Sequence, residues 1–191
     1  MSPGRLIALT LAGSLLAPLA AWAQPKPPSP PPPPPVGAEP QTTTASYGAW
    51  TLRCQIQRPQ GGPESRLCEV DQPIVPQGQQ NPIAQIGVGR PTGKGDLHVT
   101  AVLPNNISFP STPKITNGDK DPGIELTWKR CLPGGCLADT VAKEEQLRSW
   151  HTETAENTGH LLFTDAAGRT LNVQFSFRGF GPAMDALAKE K

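Results

Sequence analysis

Aromatic residues are scarce in this 191-residue chain: four Trp, five Phe and one Tyr make up 5% of it. Charge of one sign is also missing, with 17 Lys+Arg against 16 Asp+Glu and a net charge of +1. That balance excludes the basic footprint of a nucleic-acid binder and a strong field for steering a charged partner. No apolar run reaches the ~20 residues that a membrane-spanning helix needs. Sequence motifs for chemistry are absent too. There is no HExxH, no pair of histidines at metal-binding helical spacing, no G-x-S-x-G elbow and no complete phosphate loop. What is abundant is Pro (24) and Gly (19), over a fifth of the chain, against a usual ~12%. The 36% hydrophobic content is enough for one modest core, and the length fits one domain.

Residues 1–23 read as a signal peptide. Arg5 is the positive n-region, Leu6 to Leu16 the apolar h-region, and Ala21-Trp22-Ala23 the small-x-small cleavage pattern before Gln24. Pro18 interrupts the apolar stretch, against a transmembrane anchor, and no Cys follows the cleavage pattern to carry a lipid. Export to the periplasm, or release from the cell, is expected. Residues 24–45 read as a proline-rich linker. Pro30 to Pro35 are unbroken, and proline without an N–H supports neither helix nor ladder. The segment is expected to be a polyproline II rod at ~3.1 Å per residue, with a reach of roughly 50 Å. The folded domain is expected at 46–191.

From Ser46 the dominant period is two, the mark of half-buried strands. Trp50, Leu52, Cys54 and Ile56 share a face. So do Ile124, Leu126 and Trp128, and so do Leu171, Val173, Phe175 and Phe177. Further strands are expected at 66–75, 82–89, 96–103, 137–141 and 160–164. Asp165 to Arg169 reads as a hairpin turn with Gly168 free to take positive φ. Many short strands with turn signals between them predict an all-β sandwich or barrel. Two short helices are expected, over 143–150 and 182–189, the second opening with Pro182 as its first residue. Both are too short to stand alone and must pack on the sheets.

Cysteine carries the strongest chemical signal. Four in an exported chain read as a disulfide framework with three connectivities, of which Cys54–Cys68 and Cys131–Cys136 are favoured. The first pair sits on the first two predicted strands. The second spans Leu132-Pro133-Gly134-Gly135, a turn that can bring the two Cα atoms within bridging distance. Spacings of 14, 63 and 5 do not repeat a zinc knuckle, and four intervening residues with no βαβ unit do not resemble a redox Cys-x-x-Cys.

No catalytic residue, metal ligand or cofactor-binding residue is assigned. His98, His151 and His160 read as surface or turn histidines. Gly93-Lys94-Gly95 reads as a hairpin tip, and Glu144-Glu145 as a solvated helix face. Asp119 and Asp121 read as a polar loop, since Lys120 and Pro122 break the calcium-loop pattern. Trp50 and Trp128 read as core anchors, in phase with their strands' apolar faces.

Several of these features, in order, resemble the invasion-associated locus B family of bacterial exported proteins. They are Tyr47-Gly48-Ala49-Trp50-Thr51-Leu52-Arg53-Cys54, then Cys68, then Arg130-Cys131-Leu132-Pro133-Gly134-Gly135-Cys136-Leu137-Ala138. The closing Phe175 to Leu187 resembles that family's final strand, Gly-Phe junction and terminal helix. The chain departs at Leu103-Pro104-Asn105-Asn106-Ile107, where the family tends to follow Leu-Pro with Gly; Asn tolerates the left-handed region. The resemblance implies an immunoglobulin-like β-sandwich in the cell envelope, no enzyme activity and no cofactor. In pathogens its members are associated with entry into host cells. The function expected is binding of a protein or envelope macromolecule, not of nucleic acid or a small-molecule substrate. Two alternatives stand beside it: thiol–disulfide exchange through Cys131 and Cys136, and a purely structural envelope component.

Overall fold

Alternating apolar and polar residues build an antiparallel architecture of two sheets. A computed structural model describes residues 41–58, 62–118, 121–151 and 158–190. The expected signal peptide and proline run lie outside these residues. In chain order the strands are β1 (Thr42–Tyr47), β2 (Trp50–Gln57), β3 (Ser65–Ile74), β4 (Ala84–Gly89), β5 (His98–Leu103), β6 (Lys114–Asn117), β7 (Ile124–Glu125), β8 (Thr127–Leu132), β9 (Gly135–Val141), β10 (Thr158–Thr164) and β11 (Thr170–Ser176). Helix α1 (Glu144–Arg148) runs into a 3-10 turn (Ser149–His151), and α2 (Phe180–Leu187) closes the domain. One sheet has the order β1-β2-β3-β4-β5-β9-β8, the other β11-β10-β6-β7. This is the β-sandwich with two short helices, one of them C-terminal, that the resemblance implied.

Register follows burial. Leu52 faces Val70, Val70 faces Val88, and Val88 faces Val99, so one apolar row crosses four strands of the larger sheet. From the smaller sheet Ile115, Leu161, Phe163, Val173 and Phe175 join the same core. Each such side chain contributes about 1.5–3 kcal/mol by leaving water. Aromatics knit the layers to α2. The Trp50 ring lies 4.9 Å from Phe180 and 6.3 Å from Phe175, Trp150 lies 5.1 Å from Phe177, and the Trp50 indole N–H donates to the Ser176 carbonyl at 2.9 Å.

The beginning and the end of the domain are fastened together. The Ala49 N–H donates to the Arg178 carbonyl at 2.9 Å. Gly48 (φ +60°) and Gly179 (φ +89°) meet back to back there: a Cβ on Gly179 would fall 1.9 Å from the Tyr47 carbonyl oxygen. Only glycine suits that approach and that dihedral.

Several boundaries differ from those read in the sequence. β1 starts at Thr42, inside the segment expected to be linker, because the β-branched Thr42-Thr43-Thr44 run pairs with Arg53 to Gln55. α2 starts at Phe180, so Pro182 is its third residue; N–H groups of a first turn need no intrahelical acceptor, and proline is harmless there. Ile124, Leu126 and Trp128 do face inward, but their stretch serves two sheets. Ile124 pairs with Ile115 and Trp128 with Ala138. Between them the Leu126 N–H donates to the Pro113 carbonyl at 2.9 Å. β6 was not foreseen: a single buried residue, Ile115, gives no period. Asn105 and Asn106 do not use left-handed backbone, since every positive-φ residue among those described is glycine.

Candidate functional site

The outward phase of β4 is Gln85, Gly87 and Gly89, while Ala84, Ile86 and Val88 point into the core. β4 is the middle strand of seven. Two glycines at alternate positions remove the side chains that would fill the centre of the sheet's outer face. The result is an open groove of about 330 Å³ that spans β2, β3, β4, β5 and β9. Its walls combine apolar Leu67, Val102 and Leu137 with the amides of Gln55, Gln57 and Gln85.

Two cross-strand rows set its charges. Arg53, Glu69, Gly89 and His98 are successive register partners, as are Asp71, Gly87, Thr100 and Asp139. The buried Asp71 carboxylate forms an ion pair with Arg53 Nε at 3.2 Å. Asp139 is held by Lys129 Nζ at 2.9 Å and by His98 Nδ1 at 3.2 Å. The Glu69 carboxylate, on a residue that is exposed overall, has neither a hydrogen bond nor an ion pair among the described residues. Burial raises its carboxyl above the ordinary value, the Asp71 charge adds to the rise, and Arg53 partly offsets it. Burial raises Asp71 as well, opposed by Arg53.

The groove was not read in the sequence. Polar residues on the outward phase of a strand look like any solvated face. The available signal was the Gly87/Gly89 pair in phase with Arg53, Glu69 and His98. His98 is therefore part of a charged row, whereas the other two histidines lie apart from it. His160 Nδ1 meets Asn172 Oδ1 at 2.9 Å, and the His151 ring packs on Phe180 at 5.4 Å. Asp121 is used by its own turn, accepting the Asn117 N–H at 2.7 Å and the Gly123 N–H at 3.1 Å; Asp119 lies outside the described residues. Gly93 and Gly95, both with positive φ, shape the loop between β4 and β5. Glu144 and Glu145 are exposed at the start of α1. Trp50 is fully buried. Trp128 is only partly so: its indole N–H donates to the Ser111 carbonyl at 2.9 Å, and its ring packs at 5.6 Å on an exposed Phe109.

Disulfides join Cys54 to Cys68 and Cys131 to Cys136, each pair directly opposed in its ladder. Among the described residues, one group of metal-ligating types lies close together, Cys54, Cys68 and Glu190. Two of its three members are spent in a disulfide and offer no thiolate.

Comparison with known proteins gives a consistent picture. A family described as "Invasion associated locus B (IalB) protein" matches residues 50–188. Two relatives, both named invasion protein B homologues, come from Brucella abortus strain 2308 and from B. abortus biovar 1 strain 9-941. Each is 26% identical over 187 residues, covering 96% of this chain and 95% of the relative. The crystal structure of invasion associated protein B from Bartonella henselae superposes with a TM-score of 0.61 at 19% identity. That match covers 76% of this chain and 96% of the other and shows a shared fold. On the family match, which spans most of the folded domain, this chain belongs to the invasion associated locus B family.

Proposed function

We propose that this chain is an exported, non-catalytic protein that acts by binding another macromolecule through the groove of its larger sheet. The observation that carries the reading is the shape and chemistry of that groove. It is open along five strands and has a glycine floor. Its carboxylates, Glu69 apart, are neutralised by neighbouring cations. Such a surface suits an extended partner better than the enclosed pocket of a small substrate. Among its residues no nucleophile is paired with a base in the manner of a hydrolase. Export is supported by the leader pattern in residues 1–23, by two disulfides, which persist in oxidising compartments, and by the family's composition of invasion-associated proteins. No helix among the described residues is long and apolar enough to cross a membrane. By its family the protein is expected to take part in bacterial contact with host cells.

The test uses the oxidised mature chain and its Thr100→Trp variant, in which an indole fills the middle of the groove. Fluorescently labelled protein is titrated onto host-cell surfaces and onto bacterial envelope fractions. Saturable binding to one of them, lost in the variant while its circular dichroism and melting temperature are kept, is the expected result. Binding unaffected by the indole, or no saturable binding to either, overturns the assignment.

A further inference from the structure

The groove's inventory narrows its occupant. No Trp, Tyr or Phe lines it, so it lacks the platforms on which sugar rings stack. Its basic side chains are engaged locally: Arg53 with Asp71, His98 with Asp139, and Arg90, at one end, with the Gly95 carbonyl at 2.9 Å. That leaves no row of free positive charge for a phosphate backbone. What it offers instead are side-chain amides at Gln55, Gln57 and Gln85, a hydroxyl at Thr100 and apolar walls at Val102 and Leu137. Its floor is lowered at Gly87 and Gly89, which carry no side chain; both are buried, and the Thr100 hydroxyl donates to the Gly87 carbonyl at 3.3 Å. One carboxylate in it lacks an ion-pair partner among the described residues: Glu69, offset only in part by Arg53 across the ladder, whose Oε2 reaches to 3.7 Å from where a Cβ on Gly87 would stand.

We propose that the groove seats an extended polypeptide segment of a partner, and that Glu69 receives a lysine or arginine side chain from that segment. The inference rests on the groove being the contact surface, as proposed above. Amides and hydroxyl meet the peptide backbone, the apolar walls meet flanking side chains, and Glu69 supplies the charge complement. The interaction is pH-dependent. The groups that face Glu69 are Arg53 on β2, Asp71 on its own strand, His98 on β5 and Asp139 on β9, with Lys129 beyond on β8 and Arg90 at the groove end. Desolvation and the Asp71 charge make Glu69 take up its proton at a higher pH than an ordinary glutamate. Affinity therefore falls as acidification protonates Glu69.

The experiment compares three labelled seven-residue peptides, identical except for a central lysine, norleucine or glutamate, on the full oxidised chain and on Glu69→Gln. NMR shift perturbation follows binding up to millimolar peptide. The lysine peptide is expected to bind about fivefold tighter than the norleucine one, the scale of a partly shielded ion pair. Glu69→Gln removes that preference without lowering the melting temperature, and added salt or a pH near 4 weakens it. Equal binding of lysine and norleucine peptides, preference for glutamate, a preference that survives Glu69→Gln, or no binding of any peptide each overturns the inference. The surface-binding assay separates the two readings. If Thr100→Trp abolishes binding there and Glu69→Gln leaves it intact, the groove stands as the contact surface and the cation-receiving role falls. If neither variant changes it, both fall.

Discussion

Asp165 fastens the turn between β10 and β11 through its carboxylate. It is buried, and its Oδ1 accepts the N–H groups of Ala167 and Arg169, each at 2.9 Å, while Oδ2 accepts Arg169 Nε at 2.8 Å. These bonds favour the carboxylate and hold its pKa below the ordinary 3.8, the Arg169 backbone N–H foremost. A lowered native pKa means that the unfolded chain binds the proton more readily. The contribution is complete above about pH 5 and is lost as pH falls through the lower native value. Asp165→Ala is therefore expected to unfold at lower denaturant concentration at pH 7, with the gap to wild type narrowing at pH 2; a gap of constant size would refute the assignment. Glu69 and Asp71 have raised values and the opposite sign. Their charged forms cost stability above their native pKa, and the cost vanishes below the ordinary range. At this scale the core was legible and the groove was not. Trp50, Leu52 and Cys54 announce themselves by phase. Glu69 stands on the phase that any solvated face shows, and the groove beside it depends on glycines in another strand.

Among elements, the hairpins are set by their cross-links. Cys54 and Cys68 face each other across β2 and β3, Cys131 and Cys136 across β8 and β9. In the chain-entropy account the stabilisation grows with the loop closed, giving about 3 kcal/mol for the first and about 2 kcal/mol for the second. Paired Cys→Ser variants measured by urea unfolding are expected to rank in that order. An equal or reversed ranking would show that native contacts, not chain closure, set the values. Strand identity was readable wherever alternation ran for five residues or more, as in β2, β5 and β11. It failed where an element is defined by its neighbours. β6 exists because β10 and β7 flank it. The stretch from Ile124 to Lys129 reads as one alternating run, since alternation reports which side faces inward and not which sheet supplies the hydrogen bonds.

At the level of the whole molecule, stability converges on the aromatic cluster where α2 meets both sheets. Phe180 is fully buried and packs on Trp50 at 4.9 Å and on Trp150 at 5.3 Å. Phe180→Ala is expected to cost about 3–5 kcal/mol, a large share of the 5–15 kcal/mol typical of a domain. It should also flatten the near-UV dichroism of the tryptophans. A loss under 1 kcal/mol would mean that α2 is an appendage. The sandwich class was visible in the two-residue period, and the C-terminal helix in its composition. Their convergence on one cluster was not, because it joins residues more than a hundred positions apart.

The fastening of Gly48 to Gly179 has a consequence for biogenesis. A ribosome emits this polypeptide from the amino end, so the first hairpin must wait for nearly the last dozen residues before its anchorage exists. Until then the nascent chain lacks α2 and the Phe180 ring that packs on Trp50 and Trp150. Such lateness fits the export proposed above, in which the fold would close only after passage.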